Sequence, residues 1–132
     1  MMNTAVIYTS KLGRTRKTAK YIAESVGADI FDLKEQSVID LSRFDRILIG
    51  TGVYGGRPAS AALEFAERNR GQMSGKDVKL FVCCVKKNEE GDAQLRKISE
   101  MFGISDAVYF PSSRKKNEAG VTASVDDYIK TL

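Results

Sequence analysis

The chain has 132 residues, 42% of them apolar and 29% charged, which predicts one globular domain with its own core and argues against disorder. Lys and Arg outnumber Asp and Glu by 21 to 17, a net charge of +4 that favours anionic ligands. Without an aromatic-rich basic stripe, however, that excess is too small to indicate nucleic acid. There is no histidine, so Ser-His and Cys-His catalysis are excluded and the common metal ligand is missing; no apolar run approaches the roughly 20 residues of a membrane span, and a cytoplasmic location is the expectation.

Thr4 to Tyr8 is short, apolar and rich in β-formers, and reads as a strand buried on both faces. A helix follows almost at once, with Ala19, Ile22, Ala23 and Val26 on one buried face and Gly27 as its stop. Ala28 to Leu33 suits a second strand nearer a sheet edge, and Lys34 to Asp45 leaves room for a short helix only. Arg46 to Gly50 predicts the third strand, and Thr51 to Pro58, with three glycines and a proline, predicts a loop. The next helix buries Ala59, Ala62, Leu63 and Ala66.

Val78 to Val85 predicts the fourth strand and Leu95, Ile98 and Phe102 the helix after it; Ala107 to Phe110 predicts the fifth strand. A last helix beginning near Thr122 or Ser124 buries Val125, Tyr128, Ile129 and Leu132. The adjacent Cys83 and Cys84 match neither a disulfide framework nor a spaced metal site and read as strand thiols, a vicinal redox pair being the alternative. Strands alternating with helices call for an α/β, doubly wound, five-stranded parallel sheet in the order 2-1-3-4-5, a three-layer sandwich spanning residues 1–132. Ligands of such sheets sit beyond the strands' carboxyl ends at the switch point, where the loops after the first and third strands meet.

The first of those loops carries chemistry. A strand delivers Thr9-Ser10-Lys11-Leu12-Gly13-Arg14-Thr15 onto a helix start, where free amides and a positive dipole end favour a phosphate. The spacing of a nucleoside-triphosphate loop is absent, and the carboxylates a phosphorylated receiver needs for magnesium are replaced by Thr9, Ser10 and Lys11. A structural strand-to-helix turn that binds nothing is the plain alternative.

Val6-Ile7-Tyr8-x-Ser10-x-x-Gly13-x-Thr15-x-x-x-Ala19 resembles the flavodoxin phosphate signature. Asp40-Leu41-Ser42-x-Phe44-Asp45-x-Ile47-Leu48-Ile49-Gly50-Thr51-x-Val53-Tyr54-x-Gly56-x-Pro58 resembles the segment leading into that family's second flavin loop. The resemblance implies a short-chain flavodoxin-like fold binding FMN. It assigns the phosphate to Ser10, Lys11, Leu12, Gly13, Arg14 and Thr15, with one hydroxyl donor fewer than usual at Leu12. Thr51, Gly52, Val53, Tyr54, Gly55 and Gly56 would run along the isoalloxazine, Tyr54 against a ring face, and the third loop, from Val85, Lys86 and Lys87 to Asp92, lacks the aromatic many flavodoxins place there.

Lys11, Arg14, Arg16, Arg57, Lys86 and Lys87 make this site basic where typical flavodoxins are acidic, which by Coulomb attraction favours the anionic reduced flavin. The basic balance is similar to that of flavodoxin-like protoporphyrinogen oxidases, but the connection from Phe110 to Val121 is too short for their long insertion. Expected function is electron transfer with a redox partner protein or a small-molecule donor, as a monomer or weak dimer. The alternatives are an FMN-dependent oxidoreductase acting on a small anionic or quinone-linked substrate, and a binding module that has lost FMN.

Overall fold

The computed structural model describes residues 3–11, 13–84, 88–111 and 116–132. The central sheet is formed by β1 (Thr4–Tyr8), β2 (Asp29–Asp32), β3 (Arg46–Tyr54), β5 (Asp77–Cys84) and β6 (Ala107–Pro111), all parallel, in the order β2-β1-β3-β5-β6. A short strand β4 (Arg57–Pro58) pairs antiparallel with the end of β3. With that short strand set aside, the order is the expected 2-1-3-4-5.

Successive residues of each strand feed opposite layers, as the pleat requires. Ala5, Ile7, Ile47, Ile49, Leu80 and Val82 pack with Phe65 of α2 (Ser60–Arg68) and with Ile98 and Phe102 of α4 (Asn88–Phe102). Val6, Tyr8, Leu48, Phe81 and Phe110 pack on the other side with α1 (Arg14–Val26) and Val125 of α5 (Ser124–Lys130). A single turn, α3 (Arg70–Met73), closes the first layer with Met73. The helix from β1 to β2 and that from β3 to β5 thus lie on opposite faces, so the switch point falls between β1 and β3.

Two expectations differ from the structure. Residues 33–45 form turns at 33–35 and 42–43 joined by an irregular run, not a short helix. Asp32 starts the turn by accepting from Glu35 and Gln36, and Leu33, Ile39, Leu41 and Phe44 are each buried one at a time at spacings that do not fit one helix face. The segment after Gly50 is not a loop. β3 continues to Tyr54, Gly55 and Gly56 turn the chain with φ of 60° and 80°, and Arg57 and Pro58 return as β4. Positive φ at both central residues matches the twist of a two-residue hairpin, and glycine adopts it without strain.

Gly50 is required for a different reason. A Cβ there would lie 2.2 Å from Cζ of the fully buried Phe81, whose ring covers the β3 backbone. Gly50→Ala should therefore cost about 1–3 kcal/mol in urea unfolding through overpacking. Gly71→Ala, where a Cβ meets nothing within 4 Å inside a helical turn, should be neutral or stabilising by up to about 1 kcal/mol.

Candidate functional site

β1 and β3 run in register from Thr4 opposite Arg46 to Tyr8 opposite Gly50, so the segments that leave them emerge side by side. Thr9 still donates its amide to Gly50 O, at 3.4 Å, and beyond that point the chain turns into α1. Ser10 Oγ accepts the Gly13 amide at 3.0 Å and draws the turn tight. Gly13 is the residue before α1, left-handed with φ 89°, and no side chain caps the helix. The first turn of α1 contains no acidic residue, so nothing in it offsets the positive end of the dipole.

The hairpin closes over this loop. Tyr54 Oη accepts the Lys11 amide at 3.2 Å, and Lys11 Nζ lies 4.7 Å from the Tyr54 ring centroid, a cation–π distance. The tyrosine fits because Gly52 beneath it has no side chain. A Cβ at Gly52 would approach Tyr54 Oη to 2.7 Å and Thr15 Oγ1 to 3.3 Å. Thr15, Gly52, Tyr54 and Lys11 thus join the two segments into one structure.

Of the other expected residues, Thr51 is fully buried: its Oγ1 donates to Gly52 O and accepts from the Ala59 amide, both at 2.9 Å, so the hydroxyl fixes the hairpin to the start of α2. Arg14 reaches across to Phe110 O at 2.6 Å, tying α1 to β6. Val53 packs partly buried against the α2 and α4 layer, and Gly55 and Gly56 form the exposed turn. Leu12, Val85, Lys86 and Lys87 lie outside the described residues.

Sequence reasoning missed Lys34. Its Nζ donates to Ser10 O, which adds a third cation to a cleft of about 430 Å³ bordered by Lys11, Tyr54, Arg57 and Pro58. Tyr8 lies below the loop. Burial first, and the Asp32 carboxylate second, push its phenol above the ordinary value, so it stays neutral. The donor set fits a phosphate ester: two hydroxyls, a left-handed glycine, the open amides of a helix start and the cations Lys11 and Arg14.

A family model described as a flavodoxin domain matches residues 5–107. The chain belongs to the flavodoxin domain family. No curated protein matches it by sequence at a significant level. Its fold is similar to that of the flavodoxin, WrbA-like protein from Agrobacterium tumefaciens, with a TM-score of 0.68 and 21% identity over 99% of each chain. It is also similar to oxidised flavodoxin 2 from Bacillus cereus, with a TM-score of 0.71 and 16% identity over 97% of this chain and 95% of that one. A Fusobacterium nucleatum flavodoxin bound to flavin mononucleotide aligns with a TM-score of 0.65 and 16% identity over 99% of this chain and 96% of the other. At these identities the likeness is one of fold.

No helix among the described residues of this flavodoxin domain is long and apolar enough to cross a membrane, and those residues contain no cluster of metal-ligating side chains. Tyr54→Phe keeps the ring and the cation–π contact but removes the acceptor for the Lys11 amide. It should cost about 0.5–1 kcal/mol in chemical denaturation, the low end for an exposed hydrogen bond, and should speed exchange of the Lys11 amide proton.

Proposed function

We propose that this domain binds FMN where the first loop meets the hairpin and serves as an electron-transfer module. The observation that carries the reading is the joining of Lys11 to Tyr54, which turns a phosphate-type helix start and an aromatic hairpin into one site at the switch point. The phosphate would be held by Ser10, Lys11, Gly13, Arg14 and Thr15, with Leu12 in the same loop. Thr51 to Gly56 would lie along the flavin, offering backbone groups and the Tyr54 ring, while Val85, Lys86 and Lys87 would supply the third segment. FMN bound there would supply one- and two-electron transfer, the protein setting exposure and potential. The partner on this reading is a redox protein or a small-molecule donor.

Lys11, Lys34 and Arg57 border the cleft and raise the local positive potential. They favour whichever state of a ligand carries more negative charge. A second reading, an oxidoreductase for a small anionic substrate, has this cleft in its favour, because three cations around Tyr54 could also orient carboxylates. Steady-state oxidation of a small donor by the isolated protein separates the two.

Protein purified without added flavin should be yellow, or should bind added FMN with at least micromolar affinity, about 8 kcal/mol. A colourless protein that fails to bind it overturns the proposal. Gly52→Ala should weaken FMN roughly tenfold, about 1.4 kcal/mol, by forcing Tyr54 off the loop. Arg57→Gln should lower the potential of the second electron by about 20–40 mV, the equivalent of an exposed charge interaction of about 0.5–1 kcal/mol; an unchanged potential would remove the electrostatic role given to the rim.

A further inference from the structure

A groove lies beside the loop–hairpin junction, on the α1 side of the sheet. It encloses about 550 Å³ between the exposed face of α1 and the segment from Lys116 to Thr122. Among the described residues five cations line it, Arg14, Arg16, Lys17, Lys20 and Lys116, and no carboxylate does. Among the described residues Arg16, Lys17, Lys20 and Lys116 take part in no ion pair.

Its far wall is built, not loose. Asn117 Oδ1 accepts the amides of Ala119 and Val121 at 3.0 and 3.1 Å, the Asn117 amide donates to Val121 O at 2.8 Å, and Lys116 bridges to Thr122. Neither Glu118, exposed on the same segment, nor Asp126 of α5 is among the residues lining the groove, and Asp126 accepts from Asn117 Nδ2 and from the Tyr21 hydroxyl. Lys17 Nζ rests on the backbone of left-handed Gly120, where a Cβ would come within 2.9 Å of it.

We propose that this groove is a second anion site that takes a linear oligophosphate, the chemistry shared by inorganic polyphosphates and the phosphate chain of a nucleotide. Arg14 to Lys20 spans about 9 Å of helix, at about 1.5 Å per residue. Like charges recur there at i, i+3 and i, i+4, spacings that repel unless an anion lies between them. The groove therefore needs several negative charges within that length. An acidic peptide in extended form advances about 3.3 Å per residue with side chains alternating in direction, so it turns only about two carboxylates toward one wall over the same span. A phosphate chain carries charge at every phosphorus and presents acceptor oxygens on all sides, which matches guanidinium and ammonium donors arriving from two walls. Gly13 and Arg14 border both spaces, whereas Lys17, Lys20 and Lys116 belong to the groove alone, so variants at those three separate this inference from the flavin reading.

Calorimetric titration with inorganic tripolyphosphate, at about 0.15 M salt, tests it on the protein saturated with FMN and on the protein as purified. One equivalent should bind in the micromolar range under both conditions. The triple variant K17Q/K20Q/K116Q should lose at least tenfold in that affinity while keeping its affinity for FMN. Nuclear magnetic resonance of the unmodified protein gives a reading independent of any variant, and shifts should concentrate at Lys17, Lys20 and Gly120 to Thr122. ATP without magnesium binding more tightly than tripolyphosphate would assign the phosphate chain to a nucleotide, and equal or weaker binding to the inorganic form. Absence of binding, displacement by FMN, an unaffected triple variant, or tighter binding of a hexaglutamate peptide would each overturn the proposal.

Discussion

The crevice proposed as the flavin site depends on the parallel pairing of β1 with β3. Five residues of β1 sit in register with Arg46 to Gly50, and the two chains then part to opposite faces, one into α1 and the other through the hairpin into α2. A crevice at that point is unavoidable, since no crossover covers the gap between two connections that leave in opposite directions. The pairing is anchored at its far end as well. Buried Arg46 donates through Nε to Thr4 Oγ1 at 3.0 Å and through a terminal nitrogen to Leu132 O at 2.8 Å. A guanidinium buried there with both contacts satisfied holds the first strand, the third strand and the last residue together, and removing either acceptor would leave part of a buried charge without a partner.

Glycine decides how closely elements approach the crevice. Gly50 lets the Phe81 ring lie on β3, which seats the strand in the α1 and α5 layer, and Gly52 lets Tyr54 fold back onto the loop after β1. The two positions are two residues apart and so face the same side of the sheet, yet they serve different ends: one packs the core, the other shapes the site. Thr51 between them faces away, and its buried hydroxyl locks the hairpin to α2.

Most of the architecture was legible because apolar runs and helical faces of this length have few alternative readings. Val6 to Tyr8, Ile47 to Ile49 and Leu80 to Val82 could only be buried strands, and Ala19, Ile22 and Ala23 define a helix face that the structure buries fully or nearly so. What escaped the sequence is what depends on distant partners. Ile39, Leu41 and Phe44 fill the core from an irregular segment, and no periodicity marks residues that are buried singly. The hairpin was readable in principle, because two glycines between Tyr54 and Arg57 are the signal of a turn with positive φ at both positions; the richness of the segment in glycine and proline hid a strand that runs past Gly50. Lys34 reaches Ser10 across 24 residues, a contact that only the parallel placement of β2 beside β1 creates. Asp126, in the first turn of α5, takes part in tertiary structure by accepting from Tyr21 and Asn117, partners that lie far off in the sequence or on another element.

The same electrostatics links the two anion sites proposed for the domain. Helix α1 begins without an acidic residue and carries Arg14, Arg16, Lys17 and Lys20 within its first two turns, the reverse of what a helix dipole and like-charge spacing favour. Lys17 and Lys20 face the groove toward α5, whereas the loop that precedes the helix faces the crevice, so one unfavourable helix start addresses two separate spaces. Charge placed against its own local preference costs stability in the free chain, and that cost is recovered only when negative charge arrives. An anion at either space should therefore stabilise α1 more than the rest of the fold, and because the first anion lowers the positive potential that draws the second, two together should stabilise it by less than the sum of their separate effects.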